Sequence, residues 1–146
     1  MPKPPPMPNR RLTEFFLLVL PLIFYCAVIY YISSLPSPPT PDLGFDLGDK
    51  LIHAGAFGLM GLFAIRAARW FGEGKTLVEW IVLGVIFCTA YGALDELHQS
   101  YVPGRDADVM DWVADVAGAI LAGGAVWLAV RYRWGAILFA PTHRTE

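Results

Sequence analysis

Asp95, Glu96, His98 and Gln99 crowd together in this chain, Arg105 follows a Pro103-Gly104 pair, and Asp106, Asp108, Asp111 and Asp115 come next. Upstream, Asp49-Lys50-Leu51-Ile52-His53 adds an ammonium and an imidazole. A carboxylate shielded from water beside an imidazole can exchange a proton, so Glu96 and His53 are the candidate acid–base pair. A structural hydrogen bond or ion pair locking two helices together explains the same two residues nearly as well. Arg105, aimed back by the turn at Pro103-Gly104, can hold a phosphate or carboxylate bidentately. Salt bridges to Asp95, Glu96 or Asp111 are an equal alternative, and Lys50 stands in the same position. Lys50, Asp95, His98, Gln99, Arg105, Asp111 and Asp115 form the candidate ligand-binding set.

Other chemistries find less support. His53, Glu96, His98, Asp111 and Asp115 offer ligands of the kind zinc or manganese accepts. There is no His-Glu-x-x-His and no cysteine ligand, so no metal is assigned. Cys26 and Cys88 lie within apolar sequence as packing residues. No P-loop, nucleotide-binding glycine pattern or Ser-His-Asp arrangement is visible, and no cofactor is assigned. Asp42, Asp46, Asp106 and Asp108 read as solvated loop charges.

The polar cluster is set between apolar blocks. The chain has 146 residues, 55% hydrophobic, with a mean hydropathy of +0.47. That hydrophobicity falls in four blocks, at Phe15–Ile32, Leu51–Ala68, Leu77–Leu94 and Trp112–Val130. Each is about 18 to 20 residues, enough to cross roughly 30 Å of hydrocarbon as a helix. None alternates polar and apolar residues, so strands are not expected. The fold class is all-α: a four-helix transmembrane bundle. Residues 1–14 read as a Pro-rich tail, 15–134 as the membrane domain and 135–146 as a C-terminal tail. The first block has the basic start of a signal peptide, but it is long for one and lacks a small-x-small site, so a retained helix is expected. Pro21 is placed to kink it.

Charge gives an orientation. Nine basic residues (Lys3, Arg10, Arg11, Arg66, Arg69, Lys75, Arg131, Arg133 and Arg144) lie on the N-terminal segment, the second connection and the C-terminal segment. Only Lys50 and Arg105 lie on the other side, with nine of the thirteen acidic residues. The bias puts both termini in the cytoplasm, N-in and C-in, and the polar cluster outside. Trp70, Trp80, Tyr132 and Trp134 would mark the inner interface, and Tyr30, Tyr31, Tyr101 and Trp112 the outer one. Basic residues used as inner anchors leave no nucleic-acid interface.

Depth and facing agree across helices. His53 lies 16 residues from Arg69, Asp95 16 from Glu79 and Asp115 16 from Arg131, each interval roughly 24 Å of helix. All three groups therefore fall at one level, just inside the outer boundary. Asp111, Asp115, Gly118 and Ala122 form one stripe that turns both aspartates into the bundle. Lys50, His53 and Phe57 share a face, and Gly55, Gly58 and Gly61 make a close-packing surface. Gly92, Glu96 and Gln99 align, with Asp95 and His98 to either side.

At these residues the chain resembles the VanZ-like family of small bacterial membrane proteins. The matching pieces are Asp49-Lys50-Leu51-Ile52-His53, Asp95-Glu96-Leu97-His98-Gln99, Val102-Pro103-Gly104-Arg105, and Asp111 with Gly118. Members often carry Asn where this chain has Asp115, which adds a negative charge to be met by a protonated Asp115, a salt bridge or a different ligand. The resemblance implies a multi-pass protein of the bacterial cytoplasmic membrane with a role in the envelope, linked to glycopeptide (teicoplanin) resistance. It supplies no reaction. At this depth a membrane lipid or lipid-linked envelope precursor is the expected partner. A headgroup hydrolase or transferase using Glu96 and His53 is the alternative. A proton-coupled transporter ranks below both, because no polar path continues toward the cytoplasmic end. The sequence does not set the oligomeric state.

Overall fold

The computed structural model describes residues 10–38, 47–72 and 74–132. Among them every regular element is a helix: α1 (Arg10–Leu18), α2 (Leu20–Ser33), α3 (Gly48–Phe71), α4 (Leu77–Gln99) and α5 (Val109–Arg131). Four helical segments are long and apolar enough to cross a membrane: Arg11–Ser33, which joins α1 and α2, then α3, α4 and α5. The expected tails fall largely outside the described residues, as do Asp42, Asp46 and Trp134. The first helix begins at Arg10, more than a turn before the expected boundary at Phe15.

The break in the first span sits at Val19, two residues before Pro21. Pro21 has no N–H to donate, and its ring crowds the carbonyl of residue i−4, which is Leu17. The orphaned Leu17 carbonyl is met by Arg66 of α3, whose Nη2 lies 3.4 Å away. Backbone bonds from Val19 to Phe15 and from Ile23 to Val19 carry the helix through the break. The interruption expected near Pro21 is thus a single residue, Val19, within an otherwise continuous helical span.

Where α4 starts, Thr76 and Glu79 form a reciprocal capping box. At the start of α5 the Asp108 side chain accepts from the Met110 N–H at 2.8 Å, so Asp108 is an N-cap and not the solvated loop charge expected. Between them, Arg105 N bonds Val102 O at 3.1 Å and Gly104 has φ of 82°. That is a type II turn with Pro at its second position and Gly where positive φ is required.

Lipid tails are as apolar as leucine, so burying leucines does not drive these helices together; close packing and hydrogen bonds do. Small residues bring α3 and α5 nearest. A Cβ on Gly58 would reach the Gly118 carbonyl at 3.4 Å, and one on Gly61 would meet Ala119 at 3.3 Å. Gly55, expected on the same surface, is exposed and has nothing within 4 Å of its Cβ position. Hydroxyl straps pin α2: Tyr25 donates to Ala56 O at 3.1 Å, and Tyr91 to Cys26 O at 2.7 Å. Both cysteines are unpaired packing residues, with Cys88 fully buried.

Two expected interface aromatics are helix ties instead. Trp80 is 4% exposed and donates to Gly72 O at 3.0 Å. Trp112 donates to Thr89 O at 3.0 Å. Leu20, Phe24, Ile86, Leu94 and Leu121 point outward, an apolar surface that suits hydrocarbon.

Candidate functional site

The start of α3, the ends of α2 and α4, and the start of α5 meet at one end of the bundle, where two polar networks form. The first joins α3 to α5. Lys50 and His53 are three residues apart on α3, and Asp111 and Asp115 four apart on α5, so each pair shares a face. Lys50 Nζ lies 2.5 Å from both Asp108 Oδ2 and Asp111 Oδ1. His53 Nδ1 is 3.0 Å from Asp115 Oδ1, and its Nε2 is 3.8 Å from Asp111 Oδ2. Glu96, from α4, accepts from the Asp108 backbone N–H at 2.8 Å through Oε2. The Lys50 ammonium and the Met110 N–H hold the Asp108 carboxyl below its usual range.

The second network joins α2, α4 and the α4–α5 loop. Asp95 Oδ2 accepts from Ser33 Oγ at 2.8 Å and from Gln99 Nε2 at 2.9 Å. Gln99 Oε1 in turn accepts from Arg105 Nη2 at 2.5 Å. The turn at Pro103-Gly104 thus aims Arg105 back at the helix ends, as expected. His98 faces away from this network: it pairs with Ser34 Oγ at 3.0 Å and stacks on Tyr30 at 4.6 Å between ring centroids.

A cavity of about 450 Å³ lies between the networks. Its polar wall includes Ser33, His53, Asp95, Gln99, Arg105 and Asp111, and Ile29, Ile32, Ile52 and Phe57 supply apolar lining. Its size is that of an ordinary small-ligand site. Four carboxylates line it: Asp111 is paired with Lys50, Asp95 accepts from Ser33 and Gln99, Asp49 lies 3.9 Å from Lys50, and Asp106 forms no ion pair among the described residues. Among the described residues Arg105 has no ion pair, only the neutral Gln99 amide, so its charge is available to an anion.

The structure thus gathers the candidate residues at one end of the bundle but pairs some of them differently from the expectation. His53 is bonded to Asp115, not Glu96. Lys50 is committed to two carboxylates, the salt-bridge alternative, and Arg105 forms none of the three salt bridges considered. Sequence reasoning missed Ser33 and Ser34 at the end of α2. It also missed Asp108 as the shared partner of Lys50 and Glu96, although an aspartate just before an apolar run is an N-cap signal.

Chemically, an imidazole held by a buried carboxylate and facing a cavity can accept or donate a proton. The guanidinium across that cavity can bind an anionic group. No curated protein and no solved structure matches the chain. A family model described as VanZ/LLP1 matches residues 22–130, which is most of the sequence, and the chain belongs to that family.

Proposed function

We propose that this protein binds a lipid-linked molecule of the bacterial envelope by its anionic headgroup, at the outer face of the cytoplasmic membrane. The observation that carries this is the Arg105 guanidinium, held by Gln99 at the wall of a half-apolar cavity and not neutralised by a carboxylate. Ile29 and Ile32 on the same wall suit the first methylenes or isoprenoid carbons below a headgroup. The Lys/Arg distribution supports an N-in, C-in orientation with the cavity outward. Occupying a cell-wall precursor or a teichoic-acid-type lipid there would change its exposure to glycopeptides such as teicoplanin.

Orientation is tested by single cysteines in a Cys26→Ser, Cys88→Ser background. Tyr101→Cys, on the exposed loop beside the cavity, should react with a membrane-impermeant maleimide in intact cells. Lys75→Cys, on the opposite connection, should react only after permeabilisation. The reverse pattern would place the cavity on the cytoplasmic side and remove the outer-leaflet role.

A second reading is favoured by the His53–Asp115 contact. An imidazole oriented by a buried carboxylate is the arrangement of a general base, so a hydrolase or transferase acting on the same headgroup would use His53 with Asp115 behind it. Glu96 would serve as the second acid–base group. A headgroup change in cells that depends on His53 and on Glu96 would establish it, and an unaltered lipid pool would remove it.

A further inference from the structure

We propose that His53, Glu96 and Asp115 form a binding site for one divalent transition cation, with Asp111 supporting the histidine from behind. The inference stands apart from the identity of any lipid, and it reverses the expectation drawn from the sequence that no metal is held here.

Two buried oxygens carry it. Glu96 Oε1 and Asp115 Oδ2 have no hydrogen-bond partner, although Glu96 is only 8% exposed and Asp115 0%. A buried carboxylate oxygen left without a partner is costly, and each such atom calls for an occupant. Neither residue is adrift. Asp115 Oδ1 is fixed against His53 Nδ1, and Glu96 Oε2 is fixed by the Asp108 N–H. The position facing Asp115 Oδ2 on α4 is Gly92, where a Cβ would come within 3.0 Å. The second oxygen thus points into the seam between α4 and α5, one turn from Glu96.

The spacing fits an ion. One ligand atom from each of His53, Glu96 and Asp115 lies within 4.8 Å of the others. Ligands bonded at about 2.1 Å to a common ion sit roughly 3 to 4 Å apart, so shifts of side-chain size close the set. His53 Nδ1 lies 3.0 Å from Asp115 Oδ1, so a turn of that carboxylate about its own bond brings Oδ2 and Nδ1 to a common ion. With Nδ1 facing the ion, the Nε2–H points at Asp111 Oδ2, 3.8 Å away, and Lys50 holds Asp111 in turn. A ligating imidazole that gives its other N–H to an anchored carboxylate is the usual support of a metal site.

Charge favours the same occupant. Lys50 is shared between Asp108 and Asp111, which leaves Glu96 and Asp115 without a cationic partner beyond His53. A dication supplies that compensation. One imidazole and two carboxylates suit Zn²⁺ or Mn²⁺ better than an all-oxygen Ca²⁺ site. Three protein ligands leave further coordination positions, and His53 places the ion beside the cavity wall.

The test uses the full chain purified in detergent, stripped with chelator, and titrated with ZnCl2 or MnCl2. Metal content after gel filtration should reach one ion per chain, and the ion should raise the unfolding temperature. Glu96→Gln and Asp115→Asn should each weaken binding at least tenfold, and Asp111→Asn about 10- to 100-fold. Glu79→Gln, at the opposite end of α4, should leave binding unchanged. Co²⁺ added to the wild type gives an independent reading, because a nitrogen–oxygen site of low coordination number produces visible absorption without any mutation. The proposal is overturned if the wild type retains no ion and gives no Co²⁺ spectrum. It is equally overturned if binding survives both Glu96→Gln and Asp115→Asn, or if a shared proton alone accounts for the stability of the pair. Lipid retained by metal-free protein would leave the headgroup reading standing when this one falls.

Discussion

His53 Nδ1 and Asp115 Oδ1 lie 3.0 Å apart across the α3–α5 interface, and Asp115 is wholly buried. The contact ties a cavity-lining imidazole to a carboxylate that has no access to water. Removing the imidazole strands that carboxylate, whereas changing the carboxylate to an amide keeps an acceptor for the ring N–H. In chelator-treated protein His53→Ala should therefore destabilise by about 3 kcal/mol, and Asp115→Asn by clearly less. Unfolding in detergent measures both. Equal losses would mean that the contact is not the anchor described here.

Asp108 gives a pH dependence with a defined sign. Its carboxyl is held below the usual range by Lys50 and by the Met110 N–H. A group whose folded value is depressed stabilises fully above its unfolded value of about 3.9, and that contribution is lost as pH falls through the lower folded value. Asp108→Asn retains the cap but loses the ion pair. Its unfolding temperature should lie below that of the wild type at pH 7, and the two should converge below about pH 4. Added salt should narrow the gap at pH 7. A gap that persists unchanged in acid would trace the effect to the cap and not to the charge.

Gly118 sets the approach of α5 to α3. A Cβ there would run into the backbone carbonyl of Ala54, which has no rotamer by which to move aside. Gly118→Ala should cost about 3 kcal/mol, the upper end for overpacking. Gly124→Ala on the same helix meets nothing within 4 Å and should be neutral or stabilising by up to about 1 kcal/mol. Similar behaviour of the two variants would place the close crossing elsewhere.

Much of this arrangement is legible in the sequence because membrane proteins announce their elements by length and polarity. The apolar blocks locate all four spans, and the depth of His53, Asp95 and Asp115 places them at one end of the bundle. The stripe through Asp111, Asp115 and Gly118 points inward as its periodicity requires. Partner choice is what periodicity leaves open. A face holds several residues within reach of the next helix, and a small rotation decides whether His53 meets Glu96 or Asp115. Ser33 and Ser34 went unnoticed for a related reason: they look like the polar end of a span until Asp95 and His98 are seen against them. Trp80 and Trp112 misled in the opposite direction, since an aromatic near a helix end suits both a lipid interface and a buried backbone tie.

The most direct measurement is mass spectrometry of the lipids that copurify with the wild type and with Arg105→Ala, alongside the lipid pool of the cells that made them. The wild type should retain one class of anionic-headgroup lipid above its share of the membrane. Arg105→Ala should fold and lose that enrichment about tenfold, the equivalent of one charge-assisted contact. Wild-type protein carrying lipids only in bulk proportion, or Arg105→Ala retaining the same lipid to the same extent, would contradict headgroup binding at this cavity.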